Sequence, residues 1–69
     1  MALELVGVVV DFDEPRGWGS VRADDGAEHW FHCTAIADGT RTIEVDAPVR
    51  YRLVAGRLGR WEAGDLRPR

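Results

Sequence analysis

Residues 16–33 read RGWGSVRADDGAEHWFHC, and this stretch decides the fold of the chain. Two short segments with alternating apolar and polar residues, Gly17–Ala23 and Glu28–Cys33, flank the sequence Asp24-Asp25-Gly26. Acidic residues followed by glycine, between two such segments, are typical of the turn of a β-hairpin. The stretch therefore predicts two antiparallel strands joined by a tight turn.

The two predicted strands each have a small or apolar face and a polar face, because side chains alternate along a strand. Gly19, Val21 and Phe31 belong to the face that we expect to build the core. A register that pairs Arg22 with Glu28 brings opposite charges together. That register also sets Ser20 opposite Trp30 and Trp18 opposite His32, all on the outer face. A register shifted by two residues would keep the same faces together, so both registers predict the same exposed patch.

The remainder of the chain predicts three more strands and no long helix. The strands are expected at Leu3–Phe12, Val49–Ala55 and Arg60–Leu66, with a turn at Gly56–Gly59 before the last one. No segment keeps a helical apolar period. Five short strands predict a small antiparallel all-β barrel, which also removes exposed sheet edges.

Two segments between the third and fourth strands are predicted to be irregular. Thr34–Ala37 is expected to form one short helical turn. Thr40–Asp46 is expected to be a loop whose Ile43 and Val45 contribute to the core.

Length and composition limit the chain to one small domain over residues 1–69. It carries nine basic residues, all arginine, and a net charge of −3, which argues against nonspecific binding to polyanions but allows a local basic patch. A single cysteine forms no internal disulfide and fits the reducing cytoplasm. The N-terminal residues lack the features of a signal peptide, and no apolar run approaches a membrane span, so we expect no membrane partner.

The outer face of the hairpin predicts a binding surface, because clustered exposed aromatic side chains usually mark one. Nucleobases stack on such side chains, and arginine can reach phosphates or stack as well. Bases of a duplex are already stacked on each other, so this chemistry favours single-stranded RNA or DNA. The candidate binding residues are Phe12, Arg16, Trp18, Ser20, Arg22, Trp30 and His32.

Several motifs in order resemble the bacterial cold-shock protein family. The family's K-G-F-G-F-I motif corresponds to Arg16–Val21, and its V-F-V-H motif corresponds to His29–His32. Gly7-Val8-Val9 with Phe12, the turn Asp24–Gly26, the sequence Thr34–Ile36, and Ala63 with Leu66 match further family positions. The resemblance covers nearly the whole chain. It implies a five-stranded OB-type barrel that binds single-stranded nucleic acid, keeps RNA unstructured and tunes transcription or translation, without ATP or metal.

The match to the family's binding face is partial. Phe12, Trp18, Trp30 and His32 occupy family stacking positions, and Arg16 replaces a lysine. Elsewhere the pattern departs: Asp11 stands where a stacking tryptophan is usual, Val10 where a lysine is usual, and Ser20, Cys33 and Thr40 where aromatic residues are common. We therefore expect a shorter platform that binds fewer bases.

Alternative interpretations remain open for three features. Phe12 either closes the end of the barrel or contacts the ligand. Trp61, near Arg57 and Arg60, either packs on the barrel or adds a stacking residue. The whole surface, given the acidic charge and the lost aromatics, is also consistent with a degenerate barrel that binds a protein.

Catalysis, metal binding and a cofactor are not expected. His29 and His32 are separated by an odd number of positions and should point to opposite faces, as should His32 and Cys33. His29 and Cys33 alone do not complete a four-coordinate metal site, and a Cys-His nucleophile needs both side chains within hydrogen-bond reach. We expect Cys33 to be a small buried residue, and the chain to be a monomer without a small-molecule substrate.

Overall fold

Five antiparallel strands form one sheet in the computed structural model, which describes residues 4–40, 42–56 and 59–69. The strands are β1 Glu4–Asp13, β2 Trp18–Ala23, β3 Glu28–His32, β4 Pro48–Ala55 and β5 Trp61–Pro68. One short 3-10 turn occupies Cys33–Ala35. The predicted all-β class is confirmed, and each strand lies within two residues of its expected bounds. Leu3 and positions 57–58 of the predicted turn Gly56–Gly59 lie outside the described residues.

The sheet has the strand order β3-β2-β1-β4-β5 and curls until its two edge strands approach each other. A parallel bridge between Ile36 and Leu66 joins these two ends of the sheet. The backbone N–H of Ala37 also donates to the Leu66 carbonyl oxygen at 2.9 Å. No continuous ladder joins β3 to β5 within the described ranges, so the sheet is barrel-like but not fully closed.

The β2–β3 hairpin has one of the two registers that the sequence leaves open, the one that pairs opposite charges. Arg22 pairs with Glu28, Ser20 with Trp30, and Trp18 with His32. Gly26 at the end of the turn has a φ of 93°, a conformation that glycine adopts without strain. The alternation therefore sends the aromatic and polar residues of both strands to the outer face.

The core fills the concave side of the curled sheet. Phe31 is fully buried, as expected from its position between two outward-facing residues. The buried residues come from every strand and from the segment after the 3-10 turn: Val9, Val21, Ala23, Phe31, Ile36, Val49, Tyr51, Ala63 and Leu66. With so few core residues, removal of any large one should destabilise the fold strongly.

A β-bulge in β1 decides which of its side chains face outward. The pairing with β2 shifts between Val9 and Asp11, so that Val10 is the extra residue. After this shift Asp11 lies opposite Ser20, and Phe12 lies opposite Gly19. The bulge therefore carries Asp11 to the outer face and Phe12 to the inner face.

The loop before β4 corrects one prediction about the core. Ile43 packs against the core as expected, but Val45 is 51% exposed. Val45 lies in a turn closed by the hydrogen bond from the Ala47 N–H to the Glu44 carbonyl oxygen, and Asp46 follows with a φ of 73°. A side chain in the middle of a tight turn projects outward from the turn, and Val45 therefore faces solvent.

Among the described residues, Tyr51 has the largest fully buried side chain, and its hydroxyl has one polar partner there. The hydroxyl oxygen lies 3.0 Å from Nδ1 of the half-buried His29, and the two rings are 5.8 Å apart. Burial raises the pKa of Tyr51 above its ordinary value, and the negative charges of Asp25 and Asp24 add to this effect.

The raised pKa of Tyr51 predicts a loss of stability at alkaline pH. Tyr51 stays protonated in the folded chain after the unfolded chain has ionised, so its contribution is complete below about pH 10 and is lost as the pH rises through the folded-state pKa. The chain has one tyrosine and no lysine, so few other groups titrate there. In urea unfolding followed by circular dichroism, Tyr51→Phe should flatten this decline while Cys33→Ala keeps it; an equal decline in Tyr51→Phe would contradict the assignment.

Candidate nucleic-acid interface

Two tryptophans form an exposed pair on the outer face of β2 and β3. The ring centroids of Trp18 and Trp30 lie 5.1 Å apart, with their planes tilted by 56°. The two residues are 41% and 43% exposed, values that are high for tryptophan. The prediction that both side chains face outward is confirmed, and the pair offers exposed apolar ring surface to a ligand.

His32 extends the tryptophan pair and is held in place by the turn that follows it. It lies opposite Trp18 in the β2–β3 register. Its Nδ1 accepts a hydrogen bond from the Thr34 N–H at 3.3 Å, and the Thr34 hydroxyl lies 2.9 Å from the same nitrogen. The imidazole thus caps the 3-10 turn while it remains exposed beside Trp18.

The position of Cys33 corrects the prediction that it diverges from His32. The Sγ of Cys33 lies 3.9 Å from Nδ1 of His32. Cys33 is the first residue of the 3-10 turn, so the alternation of a strand no longer applies to it. Cys33 is half-buried against the core rather than fully buried. The Nδ1 atom already accepts the Thr34 N–H, which leaves it poorly placed to act as a base for the thiol.

Both arginines of the candidate surface are engaged by carboxylates. The Nε of Arg16 lies 3.6 Å from Asp13, and a terminal nitrogen of Arg22 lies 3.2 Å from Glu28. All four side chains are largely exposed, so these ion pairs contribute little to stability, about 0–1 kcal/mol each. They do lower the positive charge that a phosphate would meet. The sequence predicts the Arg22–Glu28 pair, but the strand register alone does not identify the Arg16–Asp13 pair.

The β1 edge of the surface is acidic and lacks aromatic residues. The bulge sets Asp11 beside Ser20 and Asp13 beside Trp18 on the outer face. Ser20, in the middle of its row, separates Asp11 from Trp30. On the β1 side, the aromatic surface of β2 and β3 therefore ends at a carboxylate.

Phe12 lies apart from the exposed pair. It faces inward opposite Gly19, and its ring stacks parallel to that of buried Phe31 at 5.8 Å between centroids. Its side chain is half-buried and packs against the core. These contacts favour the interpretation in which Phe12 closes the end of the barrel.

A groove of about 1020 Å³ separates β3 from the start of β5 and widens the candidate surface. Trp18, Trp30 and His32 line one wall, and Arg60 and Trp61 line the other. Trp61 is 63% exposed, so it does not pack into the barrel. The sequence alone does not decide the role of Trp61, because only the curl of the sheet brings the start of β5 beside β3. Two carboxylates, Glu28 and Glu62, also line the groove.

The histidines, the cysteine and the acidic residues do not converge within the described part of the chain. No three of these side chains lie close enough there to share a metal ion. His29 instead pairs with Tyr51 inside the barrel, across strands that are distant in sequence. No helix among the described residues is both long enough and apolar enough to span a bilayer.

Comparison with known proteins yields no family model and no curated protein that matches this chain. The resemblance to the cold-shock family therefore remains a prediction from the motifs.

The cap formed by His32 predicts a separable effect on stability. Replacement His32→Ala removes the acceptor for the Thr34 N–H and should lower the free energy of unfolding by about 1 kcal/mol. Replacement His32→Asn retains a capping acceptor and should restore most of this loss. Urea unfolding of the three proteins at neutral pH measures the difference; equal losses in both variants would contradict the capping role.

Proposed function

We propose that this chain binds single-stranded RNA or DNA by stacking bases on the outer face of β2 and β3. One observation carries the proposal: Trp18 and Trp30 lie side by side and exposed, 5.1 Å apart. Each stacked base contributes about 1–3 kcal/mol at such a surface. The bases of a duplex are held by pairing and by stacking on each other, so only unpaired bases are free to stack on the indoles. Single strands are therefore preferred over duplexes.

The extent of the exposed rings suggests a short binding site. The surface holds two indoles and the imidazole of His32, and it ends at Asp11, whose charge repels a phosphate. Sequence preference is weak, because every base has a stacking face. A ligand of few nucleotides is therefore sufficient to fill the surface.

The groove supports a longer path for the strand than the β2–β3 face alone. Trp61 and Arg60 lie on the wall opposite Trp30, and both are exposed. A base that leaves Trp30 can enter the groove and meet a third indole, that of Trp61, with the Arg60 guanidinium available for the phosphate. Trp61 is thus a secondary contact in this proposal.

The balance of charges supports weak dependence on salt. Arg16 and Arg22 are already paired with carboxylates, so each phosphate must compete with Asp13 or Glu28 for its arginine. Affinity that comes from phosphate contacts falls with added salt in proportion to the phosphates neutralised. Stacking, rather than charge, supplies most of the affinity here.

The wider biological role follows from the resemblance and is proposed with it. A monomer in the cytoplasm that stacks bases would keep RNA single-stranded, as cold-shock proteins do, without catalysis or a cofactor. Exposed tryptophans also occur at protein interfaces, so a protein partner is the competing explanation of the same surface.

The double replacement Trp18→Ala with Trp30→Ala should abolish most of the affinity for single strands. The loss of stacking should weaken binding of a labelled short thymidine oligonucleotide roughly tenfold or more in fluorescence anisotropy. Trp61→Ala should weaken it less. Val6→Ala, an exposed apolar truncation on β1 away from the groove, is the matched control and should leave binding unchanged.

Two results of this titration would count against nucleic-acid binding. The wild-type chain could fail to bind any single strand at low salt, or the double variant could bind as tightly as the wild type. Either result would favour a protein partner for the tryptophan surface.

Release of Arg22 from its carboxylate should strengthen binding. Replacement Glu28→Gln frees the guanidinium for a phosphate, so affinity at low salt should rise severalfold and the slope of log affinity against log salt should steepen by about 0.7. Glu44→Gln removes an equal charge from an exposed loop residue and serves as control. An identical change in both variants would show that only net charge matters and that Arg22 makes no direct contact.

A further inference from the structure

A second charged surface lies on the outer face of β4 and β5, apart from the residues that line the aromatic groove. Arg50 on β4 lies directly opposite Arg67 on β5. Like charges directly opposite each other on one sheet face destabilise it. A repulsive pair of this kind is relieved when an anion bridges the two guanidinium groups.

The carboxylate of Asp65 pairs with two of the three arginines on this surface. Asp65, at the bulge of β5, lies 3.8 Å from Nε of Arg52 and 3.2 Å from Nε of Arg67. Within the described part of the chain, Arg50 has no ion pair. Glu4 is opposite Arg52 in the β1–β4 register and adds negative charge beside Arg52. Arg50 and Arg67 therefore form the more positive end of this charged surface.

The atoms that Asp65 engages leave donors for a ligand. The hydrogen bond from Arg67 to Asp65 uses Nε, on the side of the guanidinium group away from its tip. The terminal nitrogens of a guanidinium group form a fork that matches the oxygens of a phosphate. Arg52 and Arg67 are each 52% exposed, so a ligand can reach these forks.

We propose that Arg50 and Arg67, assisted by Arg52, bind a chain of linked phosphate groups such as the backbone of a nucleic acid. Successive phosphates of one ligand present several negative charges close together. This arrangement suits guanidinium groups carried by two neighbouring strands, whose backbones lie about 4.8 Å apart. The site is distinct from the tryptophan surface and requires no base. The chain then contacts phosphates on two separate faces despite its net negative charge.

Tripolyphosphate tests the site without reference to base stacking. Isothermal titration calorimetry of the full chain at low salt should detect binding, and the double replacement Arg50→Gln with Arg67→Gln should weaken it at least about tenfold. Arg69→Gln is the matched control, because that guanidinium already pairs with both carboxylate oxygens of Asp24, at 2.6 and 3.3 Å. Circular dichroism verifies that these surface variants remain folded. Absence of tripolyphosphate binding, or equal binding by the double variant, overturns the proposal.

Oligonucleotide length tests the nucleic-acid backbone as the source of the phosphates, and this arm rests on the proposed function. Thymidine strands of about 4 and about 20 nucleotides are compared in the wild type and the double variant. The longer strand should bind more tightly to the wild type, and loss of this gain in the double variant supports the nucleic-acid backbone as ligand. If the double variant keeps the full gain in affinity for the longer strand, the nucleic-acid backbone is not the ligand of this site. Failure of both strands to bind, with tripolyphosphate still bound, rejects the stacking function and retains the phosphate site.

Discussion

The close approach of the β1 backbone and the Phe31 ring to Gly19 is the constraint on which the candidate surface depends. A side chain at Gly19 would collide with the Asp11 carbonyl oxygen, and its Cβ would lie 2.9 Å from the ring of Phe31. Without a side chain there, β1 and β2 pair tightly and the Phe31 ring fills the inner face. Since Gly19 and Phe31 face inward, Trp18 and Trp30 must face outward.

Electrostatics divide the outside of the barrel into two kinds of surface. Around the tryptophans, Arg16 and Arg22 are matched by carboxylates, so apolar contact dominates what this surface can bind. On the outer face of β4 and β5 the Asp65 carboxylate pairs with both Arg52 and Arg67, and Arg50 lies opposite Arg67, so charge dominates there. A chain with a net charge of −3 can therefore still present a cationic face.

The sequence predicts the direction of side chains correctly where the strands are regular, but not where the strands end or bulge. The outward direction of Trp18 follows from strict alternation of side chains and is confirmed. Alternation left two hairpin registers open, and the structure has the one that pairs Arg22 with Glu28. Val45 and Cys33 lie in turns, where alternation stops, and their predicted environments are wrong. The bulge at Val10 adds one residue to β1 and so decides the face of every later side chain on that strand.

The sequence by itself determined the strands, the β2–β3 hairpin and the residues on each of its faces, because these depend on interactions between near neighbours. Only the tertiary structure decided that Trp61 faces the groove beside Trp30, that His29 meets Tyr51, and that the ends of the sheet join at Leu66. These contacts join residues far apart in the chain. They depend on how strongly the whole sheet curls, which no local pattern of residues specifies.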